Sequence, residues 1–193
     1  MILKPSKIEL TIEQLNAKSF IHFLVELQNL LEFIGEELAA VHETVSVAET
    51  VTSGFLQFSF SQVKDASRFF KGGITEQEIN GELDFFNIDQ DEASYCHGVS
   101  PNIAEEMALQ VAAKFRTDWS IAVTGYAAAV KESQHKLYAF FSISRHGKII
   151  LSEKLDLHSR TLPLKAQLYY SEFILGCFKL ELDKIRMERQ AIS

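Results

Sequence analysis

The chain has little of what would mark a disulfide-stapled, fibrous or membrane-spanning protein. Only 2 of its 193 residues are cysteine, too few for a disulfide framework or a multi-thiolate metal cluster. Cys96 and Cys177 read as two partly buried thiols of a reducing compartment. With 3 prolines and 9 glycines, collagen-like and low-complexity organisation is excluded. No run approaches the roughly 20 apolar residues of a membrane span. The opening Met1-Ile2-Leu3-Lys4-Pro5-Ser6-Lys7 lacks the apolar stretch and small-residue cleavage site of a secretory signal. A cytoplasmic protein with no membrane partner is therefore expected. Positive charge is scarce as well: 19 Lys and Arg stand against 26 Asp and Glu, a net charge of −7. That balance argues against a nucleic-acid partner, which calls for a broad basic face.

What is present is globular material. A hydrophobic share of 47% with 23% charged residues lies far from disorder, and a chain of this length can bury a core without staples. Residues 1–11 read as a lead-in, with an edge strand over Lys7 to Leu10, and residues 12–189 as one domain. Thr11 and Gln14 stand at capping-box spacing. Ile12, Leu15, Phe20, Phe23, Leu24, Leu27, Leu31, Ile34 and Leu38 then recur at helical spacing. Val45 to Ala48 reads as a buried strand, Gly54 to Val63 as a helix, and Phe69 to Thr75 as a second strand. Residues 75–91 are polar and irregular, with room for a short helix. Ser100-Pro101 opens a helix in the preferred order, cap before proline, with Ile103, Met107, Val111 and Phe115 on its buried face. Ser120 to Val123 is a third strand ending in Thr124-Gly125. Leu137 to Ser144 and Lys148 to Leu155 form a hairpin around Arg145-His146-Gly147, and a last amphipathic helix runs from Thr161 to Arg189. This alternation predicts an α/β fold, a three-layer α/β/α sandwich with a mixed sheet. The long amphipathic helices are compatible with a homo-oligomer, which the pattern does not by itself establish.

Ligands of open α/β sheets bind outside the carboxyl ends of the strands. Two turns fall there, Glu49 to Gly54 and Thr124 to Ala128. Hydroxyls of Thr50, Thr52 and Ser53 beside the amide groups of a helix start make an anion site; the blander alternative is that they only cap the helix. Gly72 and Gly73 let a third segment come close, and Arg160 lies where it could pair with a phosphate. Cys96-His97 reads as a loop rather than a thiol–imidazole pair, since adjacent side chains seldom face each other. His22 and His42 are too far apart for a metal site. Asp84, Asp89, Asp91 and Glu92 lack the glycine and terminal glutamate of a calcium loop. No cofactor is expected.

Five segments taken in order carry a family resemblance. They are Ala48-Glu49-Thr50-Val51-Thr52-Ser53-Gly54; Gly72-Gly73-Ile74 through Glu82, with Ile88-Asp89 beyond; Val99-Ser100-Pro101-Asn102-Ile103-Ala104-Glu105-Glu106-Met107-Ala108; Thr124-Gly125-Tyr126-Ala127-Ala128-Ala129; and Arg160. Their order and spacing resemble the A-E-S-C-T-G-G, G-G-(I/V)-x-x-Y-(S/N)-x-x-x-K…G-V-D, V-S-x-x-V-A-x-x-M-A, T-G-I-A-G-P and G-D-R motifs of the CinA (competence/damage-inducible) C-terminal domain. The likeness spans about residues 12 to 188. Active members of that family are nicotinamide mononucleotide amidohydrolases. The resemblance implies a catalytic hydroxyl at Thr50 and a catalytic role for Thr124. It implies substrate or phosphate contacts from Glu49, Thr52, Ser53, Gly54, Gly72, Gly73, Gly125 and Arg160. The departures matter more than the matches. The family's serine is Thr50, its tyrosine is Gln77, its lysine is Glu82, and its closing glycine-proline is Ala128-Ala129. A cation able to activate a hydroxyl is thus replaced by a carboxylate. The expectation is a divergent member with lost or reduced deamidase activity that retains a pocket for a small nucleotide or anion. The alternative is an active nicotinamide-nucleotide amidohydrolase that uses Thr50. The N-terminal pyrophosphatase-type domain of full-length members has no counterpart in these residues, so that activity is not expected of them.

Overall fold

Lys7–Val41 forms a single 35-residue helix, α1. The computed structural model describes residues 7–77, 85–86 and 88–192, with side chains from Leu24 to Ala191 within those ranges. Lys7 to Leu10, expected as an edge strand, is instead the start of α1. Extending an existing helix adds one hydrogen bond per residue without a new nucleus, so a short flanking segment joins it cheaply. Leu27, Leu31, Ile34 and Leu38 are buried, the stripe that helical periodicity demands.

The remaining elements are β1 (Val45–Glu49), α2 (Phe55–Ser61), β2 (Phe70–Thr75), α3 (Gln90–Tyr95), α4 (Pro101–Phe115), β3 (Trp119–Tyr126), β4 (Leu137–Arg145), β5 (Lys148–Leu157) and α5 (Pro163–Ile192). The sheet is five-stranded in the order β2-β1-β3-β4-β5. β1 runs parallel to both β2 and β3, and β4 is antiparallel to β3 and β5. This is the mixed sheet with helices on both faces. No helix lies among the described residues of 75–89, where a short one was expected; α3 begins only at Gln90 and runs to Tyr95, while residues 78–84 and 87 lie outside the described ones.

Two apolar clusters cover the two faces. Val45, Val47, Trp119, Ile121 and Val123 pack with Ile34, Leu56 and Phe178 of α1, α2 and α5. Ala48 and Ala122 point the other way, onto Ile103, Met107 and Val111 of α4. The second face is built of small residues, and α4 comes close enough for Ser120 Oγ to donate to the Ala108 carbonyl at 2.6 Å. The first face takes the bulk, with Trp119 edge-on to Phe178 at 5.2 Å between ring centroids. Burying such side chains is worth about 1.5–3 kcal/mol each.

Thr124 and Gly125 were expected in a turn, but β3 continues through Tyr126. Thr124, Gly125 and Tyr126 pair with Phe140, Ala139 and Tyr138 of β4. The antiparallel partner supplies the ladder that carries the strand past the end of its parallel neighbour. Gly125 makes the pairing possible: a Cβ there would stand 2.5 Å from the Tyr138 carbonyl oxygen.

Candidate functional site

The register of β1 on β3 sets Glu49 beside Val123, so the next residue of each strand, Thr50 and Thr124, meet at the carboxyl edge of the sheet. Thr50 N–H extends the parallel ladder by donating to the Val123 carbonyl at 3.0 Å. Thr50 Oγ1 donates to Thr124 Oγ1 at 3.3 Å, and Thr124 Oγ1 donates to the Gly98 carbonyl at 2.6 Å. Both hydroxyls are buried. The two threonines, brought from 74 positions apart, thus form a directed chain of hydroxyls that ends on a backbone oxygen.

The chain turns sharply after Thr50. Ser53 (φ 53°) and Gly54 (φ 89°) are both left-handed, a conformation glycine adopts freely and serine at a cost. α5 pins the turn from outside: Gln167 Nε2 donates to the Val51 carbonyl at 3.0 Å and to Ser53 Oγ at 3.1 Å. Glu49 holds it from within. Its carboxylate accepts from Thr52 Oγ1 at 2.6 Å, Leu56 N–H at 3.0 Å and Gln57 N–H at 2.8 Å. Glu49 is fully buried, and these three donors are what make a buried carboxylate tolerable. The start of α2, read from sequence as an anion site, is therefore capped by the chain's own anion.

The glycines of β2 serve packing. A Cβ on Gly73 would lie 2.5 Å from the Val47 carbonyl oxygen, and one on Gly72 would lie 2.8 Å from the Phe115 ring. Arg160 is exposed between β5 and α5, where its backbone N–H donates to His158 Nδ1 at 3.2 Å.

A cleft of about 510 Å³ opens over the strand ends, lined by Thr50, Thr124, Gly125 and Tyr126 from the sheet, with Gln77, His97 and Glu132 among the residues around them. Of the residues expected to bind or react, Thr50, Thr124 and Gly125 line it. Glu49, Thr52, Ser53 and Gly54 form the turn that supports Thr50. Gly72, Gly73 and Arg160 are not part of its lining. Gln77, at the position of the family's tyrosine, lines the cleft, whereas Glu82 lies outside the described residues.

His97, Tyr126 and Glu132 were not anticipated. Cys96 and His97 do diverge as adjacent residues should: Cys96 Sγ donates back to the Glu92 carbonyl at 3.1 Å, while His97 faces the cleft. His97 (φ 52°) and Gly98 (φ 69°) are consecutive left-handed residues just before the Ser100 cap of α4. The glycine next to a helix cap was the available sequence signal. Tyr126 packs edge-on to Tyr138 at 5.4 Å. Burial, then the neighbouring Tyr138 and Glu132, pushes its phenol up to about 12, so it is a neutral donor at physiological pH.

A cleft at the strand ends is where open α/β sheets place their ligand sites. Residues 27–158 match the CinA C-terminal domain model, and the chain belongs to that family. A CinA-like protein of Prochlorococcus marinus is 30% identical over 148 residues, covering 76% of this chain and 33% of the relative. One from Flavobacterium psychrophilum is 32% identical over 124 residues, covering 64% and 30%. The matched stretch amounts to about a quarter to a third of these relatives' lengths. Among solved structures, a competence or damage-inducible protein from Enterobacter asburiae superposes with a TM-score of 0.75 at 16% identity, covering 81% of this chain and 98% of that one. A competence/damage inducible protein from Agrobacterium tumefaciens gives 0.70 at 16%, covering 95% and 99%. These structures share the fold.

Proposed function

We propose that this chain is a divergent CinA-type domain that binds a small nucleotide in the Thr50 cleft. On this reading it has lost, or keeps only in reduced form, the nicotinamide mononucleotide deamidation of the family's active members. The observation that carries this is the direction of the hydroxyl chain. Thr50 gives its proton to Thr124, and Thr124 gives its own to the Gly98 carbonyl. A backbone carbonyl is not a base that can take up a proton at neutral pH. A threonine hydroxyl attacks a carboxamide poorly without such a base, and losing one positioned acid–base group costs on the order of 10²–10⁴ in rate. The family's lysine is Glu82 and its tyrosine Gln77, which replaces a cation by a carboxylate and a phenol by an amide.

A second reading is favoured by His97, which lines the same cleft. An imidazole there would act as the base for Thr50 and restore an amidohydrolase built from different parts. Ammonia release from nicotinamide mononucleotide at high protein concentration separates the two, with Thr50→Ala and His97→Gln as controls. The expected result is no release above the Thr50→Ala background, together with saturable binding of the nucleotide. Release abolished by both substitutions would establish the second reading in place of the first.

A further inference from the structure

We propose that β5 is a contact between two copies of this chain: the two strands pair antiparallel about a two-fold axis at Leu155 and join the two five-stranded sheets into one. This holds whatever the Thr50 cleft binds.

β5 ends the order β2-β1-β3-β4-β5, so no strand lies beside its outer N–H and C=O groups, and such an edge is a template for another strand. It is also the longest strand of the sheet, with 10 residues. Leu151 pairs with Ile143 and Ile149 with Ser144, which leaves Ile150 as a bulge and Leu151 to Leu157 as the regular stretch. Within that stretch Leu155 is buried in the cluster shared with α5. Lys154 and Asp156 alternate to the other face, paired at 2.6 Å with side chains 43% and 62% exposed. A groove of about 460 Å³ between β5 and α5 takes in Leu151, Leu155, Phe173, Cys177 and Leu180. Phe173 and Leu180 are exposed, and a Cβ on Gly176 would meet nothing within 4 Å. The apolar side of this edge is therefore as open as its backbone.

The charges along the strand say what fits it. A two-fold axis through an antiparallel pair sets one residue opposite itself, because facing side chains share a face of the sheet. Axes at Glu153, Lys154 or Asp156 would set like charges directly opposite each other, which is destabilising. An axis at Leu151 or Ser152 would draw the Ile150 bulge into the ladder, and one at Leu157 falls at the strand's end. The axis at Leu155 sets leucine on leucine and each Lys154 opposite the partner's Asp156. With the pair already formed within each strand, the four charges alternate in sign around the axis. Read antiparallel, the complement of Lys154-Leu155-Asp156 is Lys-Leu-Asp again, so the strand this edge fits best is its own copy.

Sedimentation equilibrium of the full chain, over a range of concentrations at low ionic strength, reads the association. The parent should dimerise, and added salt should weaken the dimer. Asp156→Lys and Lys154→Asp each set like charges together at two symmetry-related positions, so each should raise Kd roughly two- to thirtyfold. The double variant Lys154→Asp/Asp156→Lys restores opposite signs and should return Kd close to the parent's. Both side chains are exposed, so all three variants should melt as the parent does. Hydrogen exchange along Leu151 to Leu157 should slow as the chain concentration rises. A chain that stays monomeric, single substitutions without effect, or a double variant no better than the worse single would overturn the assignment. A dimer whose β5 amides exchange at the monomer's rate would do so too. So would a monomer that binds a synthetic peptide of residues 150–158, because the edge would then belong to a strand of another protein.

Discussion

Replacing Glu49 by glutamine tests whether the internal carboxylate holds the turn that carries Thr50. The side chain is fully buried and receives three hydrogen bonds, two on Oε2 from Thr52 and Leu56 and one on Oε1 from Gln57. A glutamine of the same shape offers one acceptor and one donor. Its carbonyl can take the Oε2 position and keep two bonds, but its NH2 then faces the Gln57 N–H, donor against donor. One charge-assisted hydrogen bond is lost, worth about 1.5–3 kcal/mol, and an amide at the helix start is left unsatisfied. Together these predict a loss of roughly 2–4 kcal/mol. For a chain of this size that is a fall in Tm of about 5–15 °C. Urea unfolding should show the same loss as a lower midpoint with an unchanged slope. Hydrogen exchange at the Leu56 and Gln57 amides should speed up more than exchange in β3. A loss below about 1 kcal/mol, with those two amides still protected, would refute the reasoning. The turn would then be held by Gln167 and backbone bonds alone.

Two further outcomes follow from the same geometry. Gly125→Ala should disrupt the β3–β4 pairing, because its Cβ would lie 2.5 Å from both the Tyr138 carbonyl oxygen and the Ala139 Cα. The expected cost is about 3 kcal/mol or more, and a cooperative melt within a few degrees of the parent would contradict it. Stability should also fall at alkaline pH. Burial, Tyr138 and Glu132 raise Tyr126 to about 12, and burial followed by Asp156 raises Tyr170 further still. Between about pH 10 and 12 the folded chain keeps protons that the unfolded chain has lost, so stability decreases as pH rises through that window and is complete below it. Urea midpoints at about pH 9 and pH 11 check the sign, and Tyr126→Phe should make the decline shallower. A flat profile in the parent would refute it.

That Thr50 and Thr124 both lie at the carboxyl edge of the sheet was legible in the sequence, because each follows a short apolar strand. That they hydrogen-bond was not, because it depends on β1 pairing directly with β3. Which side chains would face the cleft was not legible, because that depends on contacts between distant segments. Ser53 is held outward by Gln167 of α5, and His97, exposed yet lining the cleft, stands on left-handed backbone at a non-glycine position, which composition does not mark. The helix start carries the plainest physical lesson. Hydroxyls and amides before Phe55 predict a place for an anion, and in the structure the Glu49 carboxylate accepts from the Leu56 and Gln57 amides there. The pattern did not say whose charge. A carboxylate tethered seven residues from the Leu56 amide competes as an intramolecular group, at an effective concentration that a free phosphate in solution does not reach. Glu49 therefore fills the site whenever the backbone lets it arrive. An acidic residue directly before such a turn argues for a self-capped helix, and any ligand would then be held by the groups left over: here the Thr50–Thr124 hydroxyls, His97, Tyr126 and Glu132, which forms no ion pair among the described residues.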